Sequence, residues 1–140
     1  MTFEFQAGAT AQGRQFADQC ETLLRSMGFE LSGLLRLREV GVEVDCAATS
    51  PRGNLVWFEF KGSVQGTRPG LRRTDTMKKA IANGALVSAI DAHPPFVLLA
   101  SHLPVAGSGM AMLQTARRLG IFDDVICLYD PDDVRRLRAL

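Results

Sequence analysis

The sequence predicts a single α/β domain in which an antiparallel meander of strands feeds parallel ones. Three observations carry that expectation. Near the N-terminus, Phe16, Cys20, Leu23, Leu24 and Met27 recur at helical spacing. Strand-like segments at 42–48 and 55–60 are joined by the turn-forming run Ser50-Pro51-Arg52-Gly53-Asn54, which folds them into an antiparallel hairpin. A continuously apolar segment at 95–100 suits a strand covered on both faces, the usual setting of a parallel strand.

Taken in order, residues 11–27 read as an amphipathic helix with Thr10 at its N-cap and Gly28 as its stop. Residues 29–38 read as a first strand and 42–48 as a second. Alternation in the second sends Val42, Val44 and Cys46 one way, and Glu43, Asp45 and Ala47 the other. Residues 55–60 form the third strand. The segment 62–70 holds three glycines and a proline and reads as a surface loop. Residues 72–91 read as a long helix, charged at its start and apolar on most sides from 80 to 90, with one side for the sheet and another for a second subunit. After the strand at 95–100 come a loop at 104–109, a short helix at 110–119 and a strand at 125–129. A final helix over 131–138 has Asp130 as its cap and Pro131 at its first position. The whole of 1–140 is read as one domain, with a core of about 10–101 and a C-terminal αβα extension of about 102–140.

Composition narrows the function classes. A hydrophobic fraction of 46% with 22% charged residues excludes a disordered chain or a coiled coil. No apolar run reaches the ~20 residues of a membrane helix, and no secretion signal is visible, so a cytoplasmic protein without a membrane partner is expected. Cys20, Cys46 and Cys127 are odd in number, far apart and in apolar contexts, which reads as reduced core thiols. The formal net charge is only +1, but the charges are segregated. Between positions 61 and 79 there are six basic residues against one acid, and between 39 and 59 four acids against one base.

The chemistry concentrates around the hairpin. Glu59 and Lys61 stand two apart on one strand and emerge on one face. Asp45 precedes Glu59 across the turn, so the hairpin folds the two carboxylates toward each other. Two hard carboxylates at one point suit Mg²⁺, with Mn²⁺ as a substitute. An ammonium beside them can position an attacking water or neutralise charge growing on a phosphate. The blander reading is an exposed cross-strand ion pair of Glu59 and Lys61, which contributes only about 0.2–1 kcal/mol. Glu43, on the face expected for Asp45, reads as a rim residue.

Val44-Asp45 followed after a hairpin by Glu59-Phe60-Lys61, within an αβββαβ order, resembles the PD-(D/E)XK nuclease superfamily. Gly13-Arg14-Gln15-Phe16 through Met27-Gly28-Phe29-Glu30 looks like the opening helix of Mrr-type restriction enzymes and archaeal Holliday-junction resolvases. The resemblance covers about residues 10–101. It implies a restriction endonuclease-like core with a mixed central sheet, and metal-dependent hydrolysis of a phosphodiester that leaves a 5′-phosphate and a 3′-hydroxyl. Asp45 and Glu59 would be metal ligands, the Phe60 carbonyl a further contact, and Lys61 the group beside the nucleophile. The chain departs from the pattern at two places. Val44 stands where the motif's proline would be, and Ala17 stands where these relatives often carry a catalytic Glu. Glu21, one turn on, is the nearest substitute, and Asp18 points away.

Arg68, Arg72, Arg73, Lys78 and Lys79 follow the hairpin and suit the phosphates of a nucleic-acid backbone. Arg72 and Arg73 oppose the dipole of the helix they begin, so helix stability does not explain them. Solvated charges paired with Asp75 are the alternative. His93, His102, Ser108 and Trp57 read as structural or loop residues, and Arg135, Arg136 and Arg138 as the basic end of a helix that Asp132 and Asp133 begin. The expectation is therefore an Mg²⁺-dependent DNA endonuclease, RNA not excluded, working as a homodimer. The rivals are a catalytically inactive nucleic-acid-binding module on the same fold and an assembly protein that binds no nucleic acid.

Overall fold

The computed structural model describes residues 3–63 and 70–140, with side chains from Gly13 onward. Helix α1 (Phe3–Ser26) leads into strands β1 (Glu30–Leu37), β2 (Val42–Thr49) and β3 (Leu55–Lys61). A 3-10 turn at Gly70–Arg72 precedes α2 (Thr74–Val87), followed by β4 (Phe96–Ala100), α3 (Gly107–Arg118), β5 (Asp124–Cys127) and α4 (Pro131–Arg135), which runs into a last 3-10 turn. The five strands lie in the order β1-β2-β3-β4-β5. The pairs β1/β2 and β2/β3 are antiparallel, while β3/β4 and β4/β5 are parallel. The meander feeding parallel strands is thus present, as a mixed α/β sheet.

Helices cover both faces. On one, α2 and α3 pack through Met77, Ala80, Val87 and Leu113 onto Val42, Val44, Phe96, Leu98 and Val125. On the other, α1 packs Phe16, Cys20 and Leu24 onto Cys46, Val56, Phe58, Val97 and Leu99, with Leu137 beside them. All five residues of β4 are buried, as expected of a central strand flanked by helices on both faces. Cys20 and Cys46 are buried free thiols, and burial pushes both thiols up.

Several boundaries differ from the sequence reading. The first helix begins at Phe3, so Thr10 lies inside it, but it does stop at Gly28, whose φ of +92° an L-residue would strain to adopt. The second long helix ends at Val87, not near 91. Part of its second apolar side is met within the chain: a Cβ at Gly84 would come within 2.5 Å of Ile121. The third helix takes in Ser108 and Gly109, expected in a loop. The final helix is only five residues long, yet its start is as expected: Asp130 accepts from the Asp132 amide and Pro131 sits in the first turn.

The difference that matters most is in β2. Its register with β1 runs Leu35↔Val44, Gly33↔Ala47 and Leu31↔Ala48: β2 gains a residue at the first step and β1 recovers it at the second, so the irregularity is local. Strict alternation is broken at that point. Val42 and Val44 pack under α2, whereas Cys46 and Ala48 pack under α1. Glu43 does not share a site with Asp45; it is exposed and paired with Arg36 at 3.4 Å.

Candidate functional site

The irregularity in β2 coincides with a fork. Pairing of β2 with β3 ends at Cys46↔Phe58, beyond which the strands part. Asp45 stands in the gap, and its Oδ2 accepts the Phe60 amide at 2.8 Å, the peptide that links Phe60 to Glu59. A side chain thus takes over a donor that the strand ladder leaves open. Burial pushes the Asp45 carboxyl up, while the Phe60 amide and the Lys61 ammonium hold it down.

Glu59 faces the α2 layer and is 2% exposed. Asn83 of α2 donates to its Oε1 at 2.7 Å, and the Lys61 ammonium lies 3.4 Å from the same oxygen. The other oxygen, Oε2, is buried and has no partner among the described residues. Burial raises the Glu59 carboxyl from its ordinary 4.5 to about 7; Lys61 and Asn83 oppose the rise and Asp45 adds to it. The alternative of an exposed surface ion pair is therefore excluded: the pair is largely buried, with Lys61 only 24% exposed.

Glu59 and Lys61 meet, but Asp45 opens on the opposite side of the sheet, not into one pocket with them as expected. Asp45 lines a cavity of about 210 Å³ on the α1 side with Gly13, Phe16, Ala17, Glu21, Phe60 and Gly62, while Glu59 lies across the strand. Glu21, the substitute acid, does reach this cavity, and its carboxylate is 3.7 Å from Arg25. Ala17 leaves part of the wall open. Gly62 closes another part because the Phe16 ring lies against its α-carbon, where a Cβ would sit 2.6 Å from the ring. Among the described residues, no three His, Cys, Asp or Glu side chains converge as a metal-binding group.

Of the basic residues expected on a phosphate path, Arg72, Arg73, Lys78 and Lys79 are exposed, and none forms an ion pair within the described residues. The pairing with Asp75 is not formed. Lys79 lies one turn before Asn83 on the same helix flank, which points it toward the Glu59 end of the sheet. Arg68 and most of the glycine-rich loop fall outside the described residues.

Sequence reasoning missed Asn83, which only the packing of α2 identifies. It also passed over the groups that follow β4 and β5. Ser101 is 1% exposed and accepts the Ser63 amide at 3.2 Å, and His102 Nδ1 lies 2.9 Å from the same hydroxyl. Tyr129 packs edge-on against both His102 and Phe16 and donates to Gln19 at 2.6 Å. The one available signal was topological: parallel strands gather their polar groups at their C-terminal ends, where ligands bind in open α/β sheets. His93 stacks on Trp57. No helix of the described residues is long and apolar enough to cross a membrane. Comparison with family models, curated proteins and solved structures gives no match.

Proposed function

We propose that the chain is a divalent-metal-dependent nuclease that hydrolyses DNA phosphodiester bonds at the β2/β3 fork. The observation that carries this reading is Glu59 Oε2, a buried carboxylate oxygen without a partner among the described residues, beside a lysine and one peptide from the amide that Asp45 accepts. Leaving such an atom unsatisfied costs about 1–3 kcal/mol, more if charged, so a purely structural role accounts for it poorly. A bound cation would satisfy it.

The donor types suit Mg²⁺ or Mn²⁺, although no three such groups converge among the described residues. Asp45 and Glu59 offer hard oxygens, and the Phe60 carbonyl belongs to the same stretch. The ion, when bound, would supply Lewis-acid stabilisation of the phosphate and a more acidic water. The chain's own residues do the rest. Asn83 fixes the rotamer of Glu59, the Phe60 amide orients Asp45, and Lys61 neutralises charge that develops on the phosphate. Arg72, Arg73, Lys78 and Lys79 hold the flanking backbone electrostatically. The order αβββαβ, with an antiparallel meander and a parallel fourth strand, also suits the restriction endonuclease-like core of the PD-(D/E)XK superfamily. Cutting both strands of a duplex would need two copies, and Leu86, exposed on α2, offers part of a contact.

Ala17 favours a second reading, a nucleic-acid-binding module that has lost turnover, because the wall facing Asp45 lacks an acid one turn closer than Glu21. Incubating plasmid, branched and single-stranded DNA with Mg²⁺ or Mn²⁺ separates the two. Metal-dependent cleavage lost in Asp45→Ala supports the nuclease. DNA retention indifferent to chelator, with no cleavage, supports the module. No retention even at low salt would remove both in favour of an assembly protein.

A further inference from the structure

Beyond the fork, the C-terminal edge of the parallel strands carries a second polar group, built around His102. Its backbone is clamped: the His102 carbonyl accepts the Leu71 amide at 3.0 Å, and Gly70 lies so close that a Cβ there would meet the Ser101 hydroxyl at 2.6 Å. Its imidazole is oriented as well. The buried Ser101 hydroxyl accepts the Ser63 amide and lies 2.9 Å from His102 Nδ1, which holds the ring in place. In the tautomer in which Ser101 donates to Nδ1, Nε2 carries the proton of the neutral ring. Partial burial and the nearby Arg72 both hold the imidazole in its neutral form. Arg72 is anchored beside it, donating from Nε to the Leu103 carbonyl at 3.4 Å.

The group is continuous with the fork. The Ser101 amide donates to the Lys61 carbonyl at 3.3 Å, and the rings of Phe16, Tyr129 and His102 run from the Asp45 cavity to the imidazole. We infer that Arg72 and His102 form a phosphate subsite: the guanidinium supplies charge, and the Nε2–H supplies a directed neutral hydrogen bond to a phosphate flanking the one at the fork. This inference deepens the proposed function and rests on it for the identity of the ligand as nucleic acid. An anion suits the pair because in that tautomer both groups present donors only.

A neutral donor and a cation leave different marks on salt dependence, since only the cation displaces counterions. Retention of a labelled DNA oligonucleotide by the full chain in EDTA, measured across a salt series, reads both. His102→Ala weakens retention about tenfold with an unchanged salt slope, and His102→Gln, whose amide reaches the position of Nε2, restores most of it. Arg72→Ala lowers the slope by about one. Independently of any nucleic acid, nitrogen-15 spectra show the Nε2–H tautomer at His102, and inorganic phosphate alone shifts its signals while leaving those of His93 in place. Wild-type affinity in His102→Ala, or no response of His102 to phosphate, overturns the subsite without touching metal-dependent cleavage at the fork. A wild type that cleaves nothing but still shows the phosphate response supports the subsite and removes the nuclease.

Discussion

Two clusters of acidic and basic side chains sit on this small fold, and they differ in how completely they are closed. In the C-terminal cluster, Arg136 binds Asp124 at 3.0 Å and 3.1 Å and Asp133 at 2.8 Å. The remaining oxygen of Asp133 takes the Cys127 amide, and Asp124 also accepts the Val125 amide. Every carboxylate oxygen has a donor, and these hydrogen bonds push the guanidinium still further from losing its proton. At the fork, two donors crowd onto one oxygen of Glu59 and the other has none. Charge that is satisfied internally ties the chain together. Charge left open in a buried place costs stability and is held ready for something that binds.

The largest expected effect divides the clusters by activity. On the proposed function, Asp45→Ala lowers the cleavage rate by about a thousandfold or more, since the metal's contribution to the barrier is several kcal/mol. Arg136→Ala leaves the rate unchanged and lowers unfolding free energy by about 1–2 kcal/mol, measured by urea denaturation. If Arg136→Ala abolished cleavage while remaining folded, the division between the clusters would be wrong.

The next effect concerns pH. Because Glu59 titrates near 7 when folded and near 4.5 in its ordinary state, the folded chain binds more protons between those values. Stability therefore falls as pH rises through that window, by on the order of 2–3 kcal/mol in total. Asp45, also raised, adds in the same direction. Glu59→Gln should flatten the profile, matching the wild type at pH 4 and exceeding it at pH 8 in EDTA. Adding Mg²⁺ at pH 8 should restore much of the wild-type loss and leave the Gln variant unmoved.

Smaller effects sharpen the boundary of the open cluster. Ala17→Glu places an acid on the cavity wall and is expected to tighten Mg²⁺ binding about tenfold by calorimetry, about the strength of one added charge-assisted contact. Smallest of all, Lys79→Ala should lower the salt slope of DNA retention by about one, whereas Arg138→Ala, beside the closed cluster, should leave the slope alone.

Much of the fork was legible in the amino-acid order. Residues two apart on a strand must share a face, which gave the meeting of Glu59 and Lys61. The turn at 50–54 gave the hairpin, and Asp130-Pro131 gave the start of the last helix. Asp45 lies opposite Val42 and Val44, as alternation predicts, but the placing of Cys46 beside it under α1 and of Glu59 on the other face was not legible, because period-two alternation holds only while pairing is regular, and nothing in Val44-Asp45-Cys46-Ala47 announces the shift. Asn83 was hidden because its partner lies 24 positions away, across a helix-to-sheet contact. His102 looked like a loop residue because its role depends on which strand ends lie side by side, and that order is a property of the whole sheet.

The local register shift in β2 makes the site depend on counting. Removing one position between Asp45 and the hairpin turn would slide Asp45 by one residue along β3 and turn its side chain off the Phe60 amide, because strand side chains alternate. Point changes at the fork alter its chemistry one group at a time, whereas a single-codon deletion would dismantle its geometry with every side chain still present. The spacing from Val44 to the hairpin turn is therefore under as strict a constraint as the carboxylates themselves.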